Sequence, residues 1–531
     1  MSDSLSAVTS ARPRNRASLP GRAGRGWLTA AGWVAGGLAL LAFFVRISLN
    51  FPLNSDEANN ALQAWDMLHG NLLLHGWILG DVTFYTFELP VIALTEVFFG
   101  LSHLSSYVAS SLVYLIVVAL AVALAVRRSD GAARLARCGV AVAILAIPLA
   151  VPYGLWVELG PPDHMGTSAF ILVSFLLIDR DRVPRYTAPL VGVILCAGQL
   201  SDVTVRYVAV PAIILVSLYH MAVERRIRTS DGAIALAAAV SVPAEIIVRA
   251  VLRHLGGYMM VEPDTGLAPP SKWGHNARLA WDVLRWLFGA DTAPGTPLHG
   301  ALTIAGLIAL FIAAAGLVAV AVRWRTASRA DQLLALAIVF MLGAYVFSNL
   351  PTPTNSHEIA VVLPAGAILA ARLLVPARIK SRITAGAAVT VAAAAALVPL
   401  ITASTFPVAA QRSNDLIAWL SAHHLKYGLA GYWSAGVTTE NAGGKIQLFP
   451  FAIKAKKAET YDWETNTAWY DASKYDANFV AIEAKFAITK AQAERVFGKP
   501  ASIAKVPGWT ILVYDHNLLT KVKPAPHPRM D

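Results

Sequence analysis

The chain has 531 residues, of which 56% are hydrophobic and only 15% charged, and its mean hydropathy is +0.54. So much apolar surface with so few charges excludes a soluble globular enzyme of this size and indicates a polytopic membrane protein. The net charge of +11 does not point to nucleic acid, because the arginines fall in short clusters between apolar runs rather than along one face. Two cysteines, Cys138 and Cys196, stand far apart in apolar segments and exclude a disulfide framework and a cysteine metal site.

Residues 1–26 carry Arg12, Arg14, Arg16, Arg22 and Arg25 among Ser, Gly and Pro, the pattern of a disordered basic tail on the cytoplasmic side. The first apolar run, 27–48, is long enough to span and lacks the small-residue cleavage site of a signal peptide. Further spans are expected at 103–126, 137–156, 165–179, 187–200, 203–222, 232–252, 299–322, 332–349, 357–375 and 382–403, about eleven in all. With that count the clusters Arg127/Arg128/Arg134/Arg137, Arg180/Arg182/Arg185, Arg225/Arg226/Arg228, Arg323/Arg325/Arg329 and Arg378/Lys380/Arg382 share the side of the basic tail, as the positive-inside rule requires. The transmembrane domain is then 27–405.

Two long outer segments interrupt the spans. Residues 49–102 predict an amphipathic helix over 58–68 and a second over 91–99; residues 254–298 place Trp273, Trp281 and Trp286 on an interfacial helix. Beyond residue 405 the apolar density drops and lysine becomes common, so 406–531 reads as an extracytoplasmic α/β domain of ordinary small-domain size. Its strands are expected over 427–433, 477–482 and 509–514, and its helices over 413–422 and 490–497. No Gly-rich nucleotide fingerprint opens these helices.

The chemistry-bearing residues gather on the outer side. Asp56 and Glu57, in Asn54-Ser-Asp-Glu-Ala58, sit at a membrane boundary, where an ionisable pair is costly and marks a candidate site; the alternative is that Ser55 or Asp56 caps the following helix. Glu88 and Tyr85 follow in the same segment, then Asp163 and His164 in the next, Arg206 after a short polar turn, Lys272 and Arg278 on the tryptophan helix, and His357-Glu358 before a span. Several carboxylates opposite several cations suit group transfer from an anionic lipid: a carboxylate takes a proton from the acceptor and cations hold the departing phosphate. Purely local roles are the alternative for several of them: Asp163 can cap the next span, Arg206 can pair with Asp202, His357 and Glu358 can be ordinary N-terminal residues of a helix with Glu358 favoured by the dipole, and Tyr85 can be a packing or interfacial residue.

The acidic pair after the first span, the long first outer segment with Asp81-Val-Thr-Phe-Tyr-Thr-Phe-Glu-Leu-Pro90, the acidic second segment and the outer C-terminal domain together resemble the GT-C class of membrane glycosyltransferases, of the protein O-mannosyltransferase and aminoarabinose transferase type. The resemblance implies a mainly α fold of about eleven transmembrane helices plus the α/β domain. It also implies an inverting transferase in a bacterial cytoplasmic membrane that takes a sugar from a polyprenyl-phosphate donor to a polysaccharide, glycolipid or protein. Carried onto this sequence, it makes Asp56 the base, with Glu57 beside it and Asp163 as the second acidic residue; Arg206, Lys272, Arg278 and His357 become candidates for the donor phosphate, and His164, Glu88, Tyr85 and Glu358 for acceptor or support. A divalent metal (Mg, Mn or Ca) would find only two ligands in Asp163 and His164. The rival readings are a transporter or lipid flippase and a non-catalytic scaffold for envelope assembly.

Overall fold

The structure, a computed structural model, describes residues 23–525 except 161–163, 181–182, 224–228, 262–264, 292–295, 350, 353–355 and 486–487. Nearly all of the basic tail expected over 1–26, and the cluster Arg225/Arg226/Arg228, lie outside the described residues. Among the described residues, eight helices are long and apolar enough to cross a membrane: Ala30–Ser48, His103–Ala125, Gly131–Ala150, Thr204–Val223, Ser230–His254, Pro297–Val322, Arg329–Phe347 and Arg382–Ser404. Three shorter apolar helices, Met165–Ile178, Thr187–Ser201 and Val362–Leu374, pack among them. Val362–Leu374 alone rises only about 20 Å, and the expected 357–375 is completed by the 3-10 turn Ser356–Ile359 ahead of it, so that the stretch reaches from Glu358 at the cavity to Arg372 at the opposite end.

Proline divides another expected span. The helix Gly131–Ala146 tightens into a 3-10 turn at Ile147–Ala150, and Pro152 opens a separate helix, Pro152–Leu159. Pro148 and Pro152 have no N–H to continue the ladder, so the expected 137–156 breaks there.

One end of the bundle is bound together by arginine. Arg127 pairs with Asp179 at 3.1 Å, Arg137 donates to the Val375 carbonyl at 2.9 Å, Arg372 pairs with Asp331, and Arg329 meets Asp231 through two contacts of 2.6 and 2.9 Å. These pairs tie the ends of separate helices to one another, so the basic residues at 127, 137, 329, 372 and 378 share one end, with Arg378 on Asp130 at 3.2 Å.

The opposite end carries the first outer segment and the C-terminal domain. There a seven-stranded mixed sheet runs in the order Val522–Lys523, Lys457–Thr460, Gln447–Lys454, Tyr427–Ala430, Phe479–Glu483, Trp509–Val513, Ser502–Val506. The expected strand 427–433 ends at Ala430, and Tyr432–Asn441 is a helix. The reason is topological: Tyr427–Ala430 and Gln447–Lys454 are parallel neighbours, and parallel strands need a crossover, which this helix supplies. The helices Asn414–Ala422 and Lys490–Phe497 fall where the pattern predicts them.

The two parts are stitched together in two places besides the chain connection. Tyr432–Asn441 packs against Ser55–Leu68, with Gly436 so close that a Cβ there would strike the Asn59 side chain. A three-stranded ribbon places Trp77–Leu79 between Met259–Met260, parallel to it, and Thr465–Asn466, antiparallel to it. Trp77 is fully buried there, its ring 5.0 Å edge-on from Trp469 and its indole N–H donating to Asp66 at 2.8 Å.

Candidate active site

Asn54 begins the site. Its side chain accepts the Asp56 N–H at 2.8 Å, and the Glu57 carboxylate reaches back to the Asn54 N–H, a reciprocal cap that satisfies otherwise orphaned donors at the helix start. Asn54, rather than Ser55 or Asp56, is therefore the cap, held by Glu57, which is buried at 1% exposure. Asp56 is left half-exposed on the wall of a cavity of about 1210 Å³ at the end of the bundle beneath the C-terminal domain, and Glu57 also lines that cavity beside it.

That cavity is lined by both acidic and basic side chains. Asp56 and Asp81 come from the first outer segment and Glu464 from the C-terminal domain. The same cavity is lined by Arg206 and Arg249, both paired with Glu245, which is fully buried in Thr229–His254. One buried carboxylate under two guanidiniums leaves a net positive charge directed at the cavity, and planar donors in this arrangement suit an oxyanion. Gln199 also accepts from the Arg206 Nε at 3.2 Å, so two partners hold that guanidinium in place.

A second polar cluster stands beside it. His164, which lines the cavity from a left-handed backbone (φ 48°), has its Nδ1 2.7 Å from Asp202, and Asp202 also accepts from the Thr167 hydroxyl and from the Thr204 N–H at 2.8 Å. Burial pushes the Asp202 carboxyl up, but the His164 charge and these hydrogen bonds outweigh it and hold the group at about 2. Glu88, fully buried, accepts from Ser201 at 3.2 Å, and burial, reinforced by the nearby Asp202 charge, pushes it up to about 7. The Asp202–His164 pair fixes the orientation of the ring toward the cavity.

The remaining candidates are dispersed. Glu358 lines the cavity, half-buried. Tyr85 does not; its hydroxyl donates to the Leu72 carbonyl at 2.8 Å and its ring lies 5.0 Å from Tyr258. Lys272 and Arg278 lie on the exposed side of the helix Pro270–Leu287 and are absent from the lining, Arg278 donating to the Gly274 carbonyl at 3.2 Å. Asp163 and the His357 side chain lie outside the described residues. No group of three or more His, Cys, Asp or Glu side chains converges as a metal site among the described residues, and His164 already has Asp202 on one ring nitrogen.

Two sets of residues at or directly behind the cavity wall escape a reading of the sequence alone: Arg249, Trp433, Trp463 and Glu464 line it, and Glu245 and Tyr432 contact lining residues. Glu245 and Arg249, four residues apart, interrupt an apolar span, and ionisable residues in such a span are themselves a signal of function. Tyr432, Trp433, Trp463 and Glu464 carry no such signal: two of them open a helix and two precede a two-residue strand in the C-terminal domain. The Tyr432 hydroxyl lies within hydrogen-bonding reach of both Asp56 and Glu464, at 2.9 Å from the latter.

A bundle of apolar helices with a mixed-sheet domain docked at one end over a charged cavity is the fold that this chain shares with the solved structures of ArnT. No family model matches the chain, and no curated protein matches its sequence. Among solved structures it is similar to ArnT from Cupriavidus metallidurans in the apo state, with a TM-score of 0.57 and 14% identity over 94% of this chain and 100% of that one. The same enzyme bound to undecaprenyl phosphate gives a TM-score of 0.56 and 13% identity, covering 91% and 98%. The archaeal oligosaccharyltransferase AglB from Archaeoglobus fulgidus, in complex with an inhibitory peptide and a dolichol-phosphate, gives 0.45 and 13% over 84% of this chain and 69% of that one.

Proposed function

We propose that this protein is an inverting glycosyltransferase that moves a sugar from a polyprenyl-phosphate donor to a cell-envelope acceptor, on the outer side of the cytoplasmic membrane. The observation that carries the reading is a cavity lined both by Asp56 and by Arg206 and Arg249, the pair held on Glu245. The undecaprenyl phosphate bound by ArnT, a protein of the same fold, supports a lipid-phosphate donor.

In this mechanism the acceptor hydroxyl gives its proton to the Asp56 carboxylate as its oxygen attacks the anomeric carbon. The bond from that carbon to the phosphate oxygen breaks, its electron pair stays on the phosphate, and Arg206 and Arg249 stabilise the added charge. Trp433 and Trp463 offer flat apolar faces on the domain side of the cavity, suited to the face of a sugar. His164, oriented by Asp202, stands within the same hollow as a further hydrogen-bonding group.

The test uses purified protein in lipid nanodiscs with a panel of polyprenyl-phosphate-linked hexoses and pentoses and a delipidated membrane extract as acceptor source. Release of polyprenyl phosphate without any ion gradient, abolished in Asp56→Asn at an unchanged melting midpoint, is the expected result and separates the enzyme from a transporter. Consumption of no donor in the panel, or equal turnover by Asp56→Asn, would refute it.

A further inference from the structure

Tyr432 belongs to the C-terminal domain, yet its hydroxyl bridges Asp56, from the first outer segment, and Glu464, at 2.9 Å. A phenol has one proton to donate. Two ionised carboxylates on the same hydroxyl oxygen would leave one of them facing a lone pair, so one carboxyl of the pair must itself carry a proton and donate it to Tyr432.

We infer that the C-terminal domain supplies Tyr432 and Glu464 as positioning residues for Asp56, with Glu464 protonated and donating to Tyr432, and Tyr432 donating to the Asp56 carboxylate. The inference rests on Asp56 being the base.

Burial assigns the proton. Glu464 is 5% exposed whereas Asp56 is half-exposed at the cavity wall, so charge is cheaper on Asp56. Desolvation and then the Asp56 charge push the Glu464 carboxyl well above the usual range, and Asp81 and Glu57 add to this from the first outer segment. The Tyr432 phenol is pushed up as well, by burial and by both carboxyls, so it stays a donor; the ring of Tyr461 lies stacked 4.6 Å from it.

The backbone holds the arrangement. Asn466 and Thr465, immediately after Glu464, pair with Trp77 and Ile78, and at Gly80 a Cβ would come within 3.0 Å of Trp463 and 3.3 Å of Glu464. The base is therefore completed only when the domain is docked. During transfer the acceptor proton ends on Asp56, and the protons on Tyr432 and Glu464 do not leave.

The test needs the full chain in nanodiscs. Infrared difference spectra of wild type minus Glu464→Gln at neutral pH should show the carbonyl stretch of a protonated carboxylic acid, with no substrate required. In the turnover assay, Tyr432→Phe removes a bond that stabilises the Asp56 anion, so the acidic limb of the kcat/KM profile should move up by about one pH unit. Glu464→Ala should lower kcat/KM about tenfold, and Glu464→Gln, whose amide N–H replaces the lost donor, should recover most of it. No acid band lost in Glu464→Gln, an unmoved acidic limb in Tyr432→Phe, or inactivation by chelator with rescue by Mn²⁺ would overturn the inference. Turnover surviving in Asp56→Asn would instead overturn the base itself, so the two failures are distinguishable.

Discussion

Glu440 offers a quantitative check that requires no substrate. It lies on the Tyr432–Asn441 helix, fully buried against the first outer segment, and its Oε1 accepts the Ser106 hydroxyl at 2.6 Å while its Oε2 has no hydrogen-bond partner among the described residues. Burial pushes it up to about 7, partly countered by Ser106; neighbouring Glu96, buried and influenced by the Glu440 charge, is pushed up to about 10. A carboxyl raised from 4.5 to about 7 is worth about 3 kcal/mol at 1.36 kcal/mol per tenfold change. The sign follows from linkage: the folded state holds the proton more tightly, so this stability is fully present below pH 4.5 and is lost as pH rises through about 7. Glu440→Gln keeps the Ser106 contact and cannot ionise. Thermal unfolding in nanodiscs should therefore show wild type losing several degrees between about pH 5 and 8, while the Gln variant stays flatter and becomes the more stable of the two at pH 8. Parallel pH curves for the two proteins, or a Gln variant that is weaker throughout, would mean that Glu440 is an ionised and compensated group, and the reasoning would be refuted.

Other outcomes follow from particular contacts. Arg206→Ala or Arg249→Ala should weaken binding of undecaprenyl phosphate by about ten- to a hundredfold, read by native mass spectrometry, because each removes one charge-assisted donor of the pair. Gly436→Ala places a methyl against Asn59 and should destabilise the docked domain by about 1–3 kcal/mol, seen as faster limited proteolysis. Arg329→Ala leaves Asp231, 0% exposed, unpaired at the arginine-rich end and should cost about 3 kcal/mol or more in detergent stability with no effect on lipid-phosphate binding.

What the sequence discloses and what it withholds divide along a physical line. Apolar runs, the tryptophan helix and the Ser55–Leu68 helix are legible because each is set by local periodicity and by nearby caps; the start of Tyr432–Asn441 reads locally as strand because the need for a helix there arises from two parallel strands, which a local window does not see. Asp56 stands out as an acid next to a span. Arg249 and Glu245 are open to the same rule, four residues apart within Thr229–His254, but the apolar average conceals them. Glu464 has no local mark: its meaning comes from Asp56 and Tyr432, brought to it from elsewhere in the chain by folding. Lys272 is conspicuous by rarity, yet rarity carries no direction, and the helix turns it outward.

The ribbon formed by Trp77–Leu79, Met259–Met260 and Thr465–Asn466 draws on three distant stretches of the polypeptide, the last of them in the C-terminal domain. A ribosome must therefore deliver most of the protein before that strand can pair, and a truncated product would leave Trp77 and the Glu464 position unfinished however well its membrane helices insert. On the proposed function, catalysis would wait until that last strand had joined the seam.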